Sequence, residues 1–412
     1  MLPKFARSTT PVMFAAVAVA TLAASTVTAP PAHANPVMYP VALTDSFYSF
    51  PTDLADHQPG DVLATRSVPA PFGFVDTDAV QLKFRSVNSQ GEPIAAVTTV
   101  LSPRAAAPGR PLLSFQHIVN ALGLECAPSR ALYTTDPNLA IREAPGLGVA
   151  IQRGWSVAIP DHLGPTSAYG AARLGGQITL DGIRAAQRAT ALGLADSPVG
   201  LAGYSGGGMA TAMAAALAPS YAPELTLAGA AYGGAPLNIG AMAAALGETP
   251  HPAFGLAMAA ALGLEREYPE QVSITAHLNA TGLAVRDSIG NACTNDILAG
   301  GAGRSLADVT DAATGHALLN SATVQSVLDA NSVEKIADIP TTPIYEWHAS
   351  DDALIPVESI TATMQRYCAA GVPVQSEIVQ SPDHLTAAAI GLPGAFQFLT
   401  DRFAGQAPTP TC

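Results

Sequence analysis

Two neighbouring runs in which apolar positions mix with polar ones in strand-like composition, AVQLKFRSVN at 79–88 and PIAAVTTVLS at 93–102, flank a Gln90-Gly91 pair. Strand-like runs on either side of a glycine turn predict an antiparallel hairpin. Further on, PLLSFQH (111–117), WSVAIPD (155–161), PVGLAGYS (198–205), LTLAGAAYGG (225–234), TPIYEWHAS (342–350) and VPVQSEIVQ (372–380) have the same character. Alanine-rich or amphipathic stretches such as LDGIRAAQRATALGL (180–194) lie between several of them. An antiparallel start followed by such an alternation predicts a mixed sheet with helices on both faces.

The alternation stops between about residues 236 and 338, where IGAMAAALG, AFGLAMAAALGLE, VSITAHLNATGLAVRDSIG and SVLDANSVEKIA all read as helical. The expectation is a helical cap inserted into a sheet domain, which divides the core into 35–235 and 339–412. Its methionines and small apolar residues suit ordinary core packing, and a lipid-binding cleft is the alternative. Asn279-Ala280-Thr281 is a glycosylation sequon in a host that uses it.

Composition narrows the class. With 412 residues, 49% apolar and 12% charged, the chain suits a globular protein with a large core. A net charge of −13 with only 19 Lys and Arg argues against a nucleic-acid partner, because phosphate binding needs clustered cations. At the N-terminus, Lys4 and Arg7 precede the apolar run PVMFAAVAVATLAAS, and Ala32 and Ala34 form an A-x-A pattern. That reads as a signal peptide over 1–34 and a secreted or cell-envelope protein. An uncleaved anchor fits less well, since the run is short for a bilayer and Pro30 and Pro31 follow it. No later segment reads as transmembrane.

Four cysteines, Cys126, Cys293, Cys368 and Cys412, suit disulfides in an oxidising compartment and allow three pairings. Their spacing excludes a compact CxxC metal site, so no metal is expected. A bridge at Cys412 would pin the Pro-rich tail GQAPTPTC.

The chemistry is signalled by Gly203-Tyr204-Ser205-Gly206-Gly207, a G-x-S-x-G between a strand-like run and the helix-like GGMATAMAAALA. In a nucleophile elbow the serine sits on a strained strand-to-helix turn, with small neighbours so that helix and sheet can approach. The helix amides then point to where negative charge develops. A serine hydroxyl needs a histidine to take its proton, and the histidine needs a carboxylate to orient it, in the order Ser, acid, His. His384, after the last strand-like run, and Asp352, after the one before it, meet that order at the carboxyl edge of the sheet. Asp351 competes with Asp352, while Asp161 precedes the serine. His348 ends a strand, and His251, His277 and His316 fall in the expected cap.

Taken with QHIVNALGLECAPS, GYSGGGMATAMAAALAPSYAPELTLAGAAYGGAP, WHASDDALIP and DHLTAAAIG, the chain resembles the secretory lipases related to lipase A, α/β-hydrolases with a helical cap. The resemblance implies Ser205 as nucleophile, His384 as base and Asp352 rather than Asp351 as acid, because Asp352 stands four before the proline of a D-x-x-x-P pattern. It also implies bridges Cys126–Cys293 and Cys368–Cys412, an oxyanion hole from the Gly206 amide and a donor near Asn120, and no cofactor. Where that family carries an acidic residue ahead of the CAPS segment, this chain has Asn120. The function expected is a triacylglycerol lipase, with a lipid or ester substrate and contact with a lipid–water interface. A short-chain carboxylesterase or acyltransferase of the same fold is the alternative, and a silent secreted binding protein is the alternative of another class.

Overall fold

The computed structural model describes residues 36–136, 139 and 141–412, so the expected leader over 1–34 lies outside the described residues. Nine strands form one sheet: β1 Val62–Val68, β2 Thr77–Val87, β3 Pro93–Pro103, β4 Leu112–Gln116, β5 Ser156–Pro160, β6 Val199–Tyr204, β7 Leu227–Gly233, β8 Ile344–Ala349 and β9 Val374–Val379. Their order is β1-β2-β3-β5-β4-β6-β7-β8-β9. β1, β2, β3 and β5 pair antiparallel in turn, and the pairs from β5 through β4 to β9 are parallel. The chain runs from β4 out to β5 and returns to β6 on the other side of β4. That reversal is the topological switch at which open α/β sheets build their sites.

The helices are α1 Pro128–Ala131, α2 Ala144–Gln152, α3 Ala172–Arg188, α4 Gly206–Tyr221, α5 Ile239–Gly247, α6 Phe254–Glu267, α7 Ala280–Ile289, α8 Thr294–Gly301, α9 Leu306–Val309, α10 Ala312–Leu319, α11 Ala322–Ala330, α12 Val357–Ala369 and α13 His384–Phe403. Because strand side chains alternate faces, each central strand feeds two cores. Val199 and Leu201 of β6 join the core built with α3 and α4, while Ala202 and Tyr204 join the one built with α2 and α13. The same split holds in β8, between Ile344 on one side and Tyr345 and Trp347 on the other. The sheet is therefore apolar on both faces, as a parallel sheet covered by helices must be.

The expected mixed sheet, the hairpin and every strand-like run are present, and β1 is an additional half-buried strand beside β2. Helix boundaries differ more. The helix expected over 180–194 begins at Ala172 and ends at Arg188. Gly175 and Gly176 lie inside it because α3 packs closely on α4: a Cβ at Gly176 would come 2.8 Å from the Met213 side chain. Tertiary contact thus outweighs glycine's low helix propensity.

Between β7 and β8 there are seven helices among the described residues and no strand, only isolated bridges such as His251 with Arg304. The stretch 272–290 is not one helix, because Asn279 stops it and caps α7, its Oδ1 accepting from the Gly282 amide at 2.9 Å. Its Nδ2, the atom a sugar would join, donates to the carbonyls of Asp308 and Thr310. The helix expected over 326–337 is α11, which ends where Asn331 turns its amide back onto Val327 O and the Tyr268 hydroxyl. α8, α9 and α10 were not legible as separate helices. Among the described residues no helix is long and apolar enough to cross a membrane. Both disulfides are present as Cys126–Cys293 and Cys368–Cys412.

Candidate active site

Gln116 pairs with Gly203, so β4 and β6 end level and bring residues 117–120 beside the turn after β6. Ser205 occupies that turn with φ 54° and ψ −123°, in the positive-φ region that costs a non-glycine residue of order 1–3 kcal/mol. Its neighbours explain the motif's small residues. A Cβ at Gly203 would lie 2.4 Å from Thr211 Oγ1, and one at Gly207 would lie 2.0 Å from the Gln116 carbonyl. One at Gly206 would lie 2.1 Å from Asn120 Oδ1. The Ser205 amide donates to Gly233 O, and its hydroxyl makes no capping bond to α4.

That hydroxyl meets His384 instead, with Ser205 Oγ 2.9 Å from Nε2. His384 Nδ1 lies 2.6 Å from Asp352 Oδ2. His384 is the first residue of α13 rather than part of the loop expected there, and the Asp383 side chain caps the helix by accepting from the Thr386 amide. Asp352 lies on the loop after β8, where its Oδ1 accepts from the amides of Leu354 and Ile355. Asp351 next to it is exposed. Burial pushes the Asp352 carboxyl up, but the bond and charge of His384 and the two amides outweigh this and hold it below the ordinary carboxylate range.

Three residues buttress this line: Tyr204, already marked as part of the elbow, and Trp347 and Gly234, to which the sequence assigned no role. Tyr204, the variable position of the motif, donates its hydroxyl to His384 O at 2.5 Å. Trp347 Nε1 donates to Ala387 O, one turn further along α13. Gly234, at φ 48°, leaves room for both rings, since a Cβ there would lie 2.7 Å from the Tyr204 hydroxyl and 2.9 Å from His384 Cε1. The backbone amide of Asn120 donates to Thr294 Oγ1 at 3.3 Å, while its Oδ1 is buried without a partner beside Gly206.

The other candidates fall elsewhere. Asp161 is buried on the Ser129 amide and hydroxyl, and His348 bonds Glu346 two residues back on β8. His251, His277 and His316 lie between β7 and β8. A cavity of about 370 Å³ under residues 42–50 is lined by none of Ser205, Asp352 and His384. A narrow apolar cavity of about 50 Å³ begins instead at Tyr169 and Met209, one turn along α4 from Ser205. It shares Ala243, Ala257, Ala261, Ile274, Leu319 and Leu328 with a wider one of about 200 Å³ that opens by α10. A hydroxyl on an imidazole, an imidazole on a carboxylate and a helix N-terminus behind them are the parts needed for acyl transfer.

Known proteins resemble this chain in sequence and in fold. The secretory lipase family profile matches residues 143–410. Lipase A of Moesziomyces aphidis is 32% identical, over 98% of this chain and 89% of its own. A Mycobacterium tuberculosis protein whose name calls it an inactive lipase is 34% identical, over 88% of this chain and 82% of its own. The crystal structure of Candida antarctica lipase A in its closed state matches with a TM-score of 0.84 at 31% identity, over 92% of this chain and 89% of that one. Likeness in sequence and in fold thus extends through the sheet, the elbow and the helices between β7 and β8, and the chain belongs to the secretory lipase family, a family of ester hydrolases.

Proposed function

We propose that this protein is a secreted serine ester hydrolase of acylglycerols that works through an acyl-enzyme on Ser205. The observation that carries the reading is the unbroken line from Ser205 Oγ through both nitrogens of His384 to Asp352, at 2.9 and 2.6 Å. His384 Nε2 takes the serine proton as Oγ attacks the ester carbonyl, and Asp352 stays anionic beside the imidazolium. The alcohol leaves with the proton, and a water activated by the same nitrogen then releases the acid.

The tetrahedral oxyanion is held by the Gly206 amide and by the side chain of Asn120. Because the Asn120 backbone N–H is already given to Thr294 Oγ1, the donor left to this residue is the side-chain Nδ2, which must turn toward the oxyanion since Oδ1, the atom against Gly206, can only accept. The helices of residues 236–338 act as the cap, and the apolar cavity that runs from Met209 among them supports an acyl chain as the buried part of the substrate. Export follows from the leader pattern at 1–34 and suits a chain with two disulfides.

The test is a fluorophosphonate probe with hydrolysis of p-nitrophenyl esters of increasing acyl length and of emulsified triglyceride. Ser205 should be labelled, and Ser205→Ala or His384→Ala should each lose about three decades of turnover or more. Asp352→Asn should be severely impaired and Asp351→Asn mildly. An unlabelled Ser205 would replace this reading by that of a silent binding protein, which the name of the M. tuberculosis relative makes worth measuring. Turnover confined to short esters would make the protein a carboxylesterase.

A further inference from the structure

We propose that Glu143 is a positioning residue of the oxyanion hole, acting through the segment 117–120 that carries Asn120. The proposal rests on the hydrolase reading above. After β4 the chain has no regular structure until Leu124, yet its path is tightly constrained: Gln116 O and His117 O press on the first turn of α4 where only Gly207 fits. Something must hold such a segment, since its own backbone forms no helix or ladder there.

The holding group is a carboxylate. Glu143, at the N-cap position of α2, accepts from the Ile118 amide at 3.0 Å through Oε1 and from His117 Nδ1 at 2.8 Å through Oε2. Both side chains are largely covered, at 17% exposure for Glu143 and 7% for His117, and Glu143 has no Lys or Arg partner among the described residues. On the far side of Asn120 the grip comes from the first residue of α8 and the two residues before it. Thr294 Oγ1 accepts the Asn120 amide, Ala292 O accepts that of Leu122, and Cys293 is bonded to Cys126. Asn120 is thus strung between two anchors with its side chain against Gly206.

A charge buried on a histidine and one amide is a costly way to tie a loop, because desolvating a carboxylate costs several kcal/mol and a neutral acceptor would satisfy the amide. What the carboxylate adds is a second, oriented bond that fixes both ends of the His117-Ile118 peptide. An oxyanion donor must meet the reacting atom within a few tenths of an ångström, and about 1 Å of misplacement can cost on the order of a hundredfold in rate.

The experiment is a double-mutant cycle of Glu143 with Asn120, read as kcat and KM on a p-nitrophenyl ester. Glu143→Gln keeps an acceptor for Ile118 and loses the charge facing His117, while Glu143→Ala loses both. Expected are kcat losses of about tenfold and about a hundredfold, with KM within about twofold. In an Asn120→Ala background the same changes should cost less than about threefold, because the donor that Glu143 positions is gone. Losses that multiply independently of Asn120, or a change in KM alone, would overturn the positioning role. Glu143→Gln carries the comparison if the alanine variant does not fold. The wild type is probed with fluorophosphonate alongside: an unlabelled Ser205 overturns the hydrolase reading and this proposal together, whereas a labelled, active wild type with independent losses overturns this proposal only.

Discussion

Asn120 is where this chain departs from the acidic residue that its resemblance to other secretory lipases implies, and the departure has a measurable consequence. A carboxyl donates a hydrogen bond to an oxyanion only while protonated, whereas a neutral amide donates at any pH. Turnover of the wild type should therefore not fall through the range where a buried carboxyl ionises, and Asn120→Asp should introduce such a fall. Overlapping pH profiles would remove the side chain from the mechanism. Asp161 makes a second prediction from a single group. Burial raises its carboxyl from 3.8 to about 7, against the lowering pull of the two bonds from Ser129. The folded state thus keeps a proton that the unfolded chain gives up near pH 4. The stability this adds is complete below about pH 4 and lost as pH rises through 7. The melting temperature of the wild type relative to Asp161→Asn should accordingly drop by about 2 °C or more between pH 4 and 8. A constant difference would refute it. Asn120 and Asp161 were legible as residues, but their pairings with Thr294 and Ser129 were not, because no local pattern joins positions so far apart.

The strands were the most legible elements, since the strand-like composition of β2 and β3 and the apolar runs of β4 to β7 go with burial of nearly every position. Helices between β7 and β8 were less so. Runs of alanine and leucine satisfy many packings equally, and the ends of α7 and α11 are set by the side-chain bonds of Asn279 and Asn331 to residues far along the chain or across a helix. One buried residue ties several such elements together. Arg266 on α6 is 4% exposed and donates to the carbonyls of Met38, Leu122, Thr166, Ser167 and Gly290. No ion pair reaches it among the described residues, and burial pulls its guanidinium down to about 10, still charged at neutral pH. Arg266→Met keeps the bulk and leaves those carbonyls unpaired, so it should cost about 3 kcal/mol or more in urea unfolding. A loss below about 1 kcal/mol would mean that water replaces the guanidinium.

Residues 36–412 form one compact unit, and the disulfides stitch its distant parts. Cys126–Cys293 spans 167 positions and Cys368–Cys412 spans 44. Loop-closure entropy assigns about 5 and about 4 kcal/mol to them. Removing the first with serines should lower the melting temperature and also reduce kcat, because Cys126 and Cys293 flank the contacts that anchor Asn120. Removing the second should affect stability alone. Equal kcat in the two variants would separate the bridge from the site. Peptide mapping without reduction should return these two pairs and no other.

A single linear chain suffices to specify whatever depends on near neighbours. The strand runs and the elbow with its small residues are patterns of spacing, and spacing is local physics: side-chain alternation, a turn that excludes Cβ atoms, a helix that starts beside it. The separation of Asp352 from Asp351, the pairing of four cysteines, the histidine–carboxylate contact at Glu143 and the space kept by Gly234 depend on which distant segments meet. From the residues alone the first two stayed open, and only the family resemblance chose between their alternatives. His117 and Glu143 lie 26 positions apart and Asn120 and Thr294 lie 174 apart. Such contacts exist because the sheet order sets β4 beside β6 and β7 beside β8, an arrangement fixed by packing two apolar faces at once rather than by any short stretch of the chain.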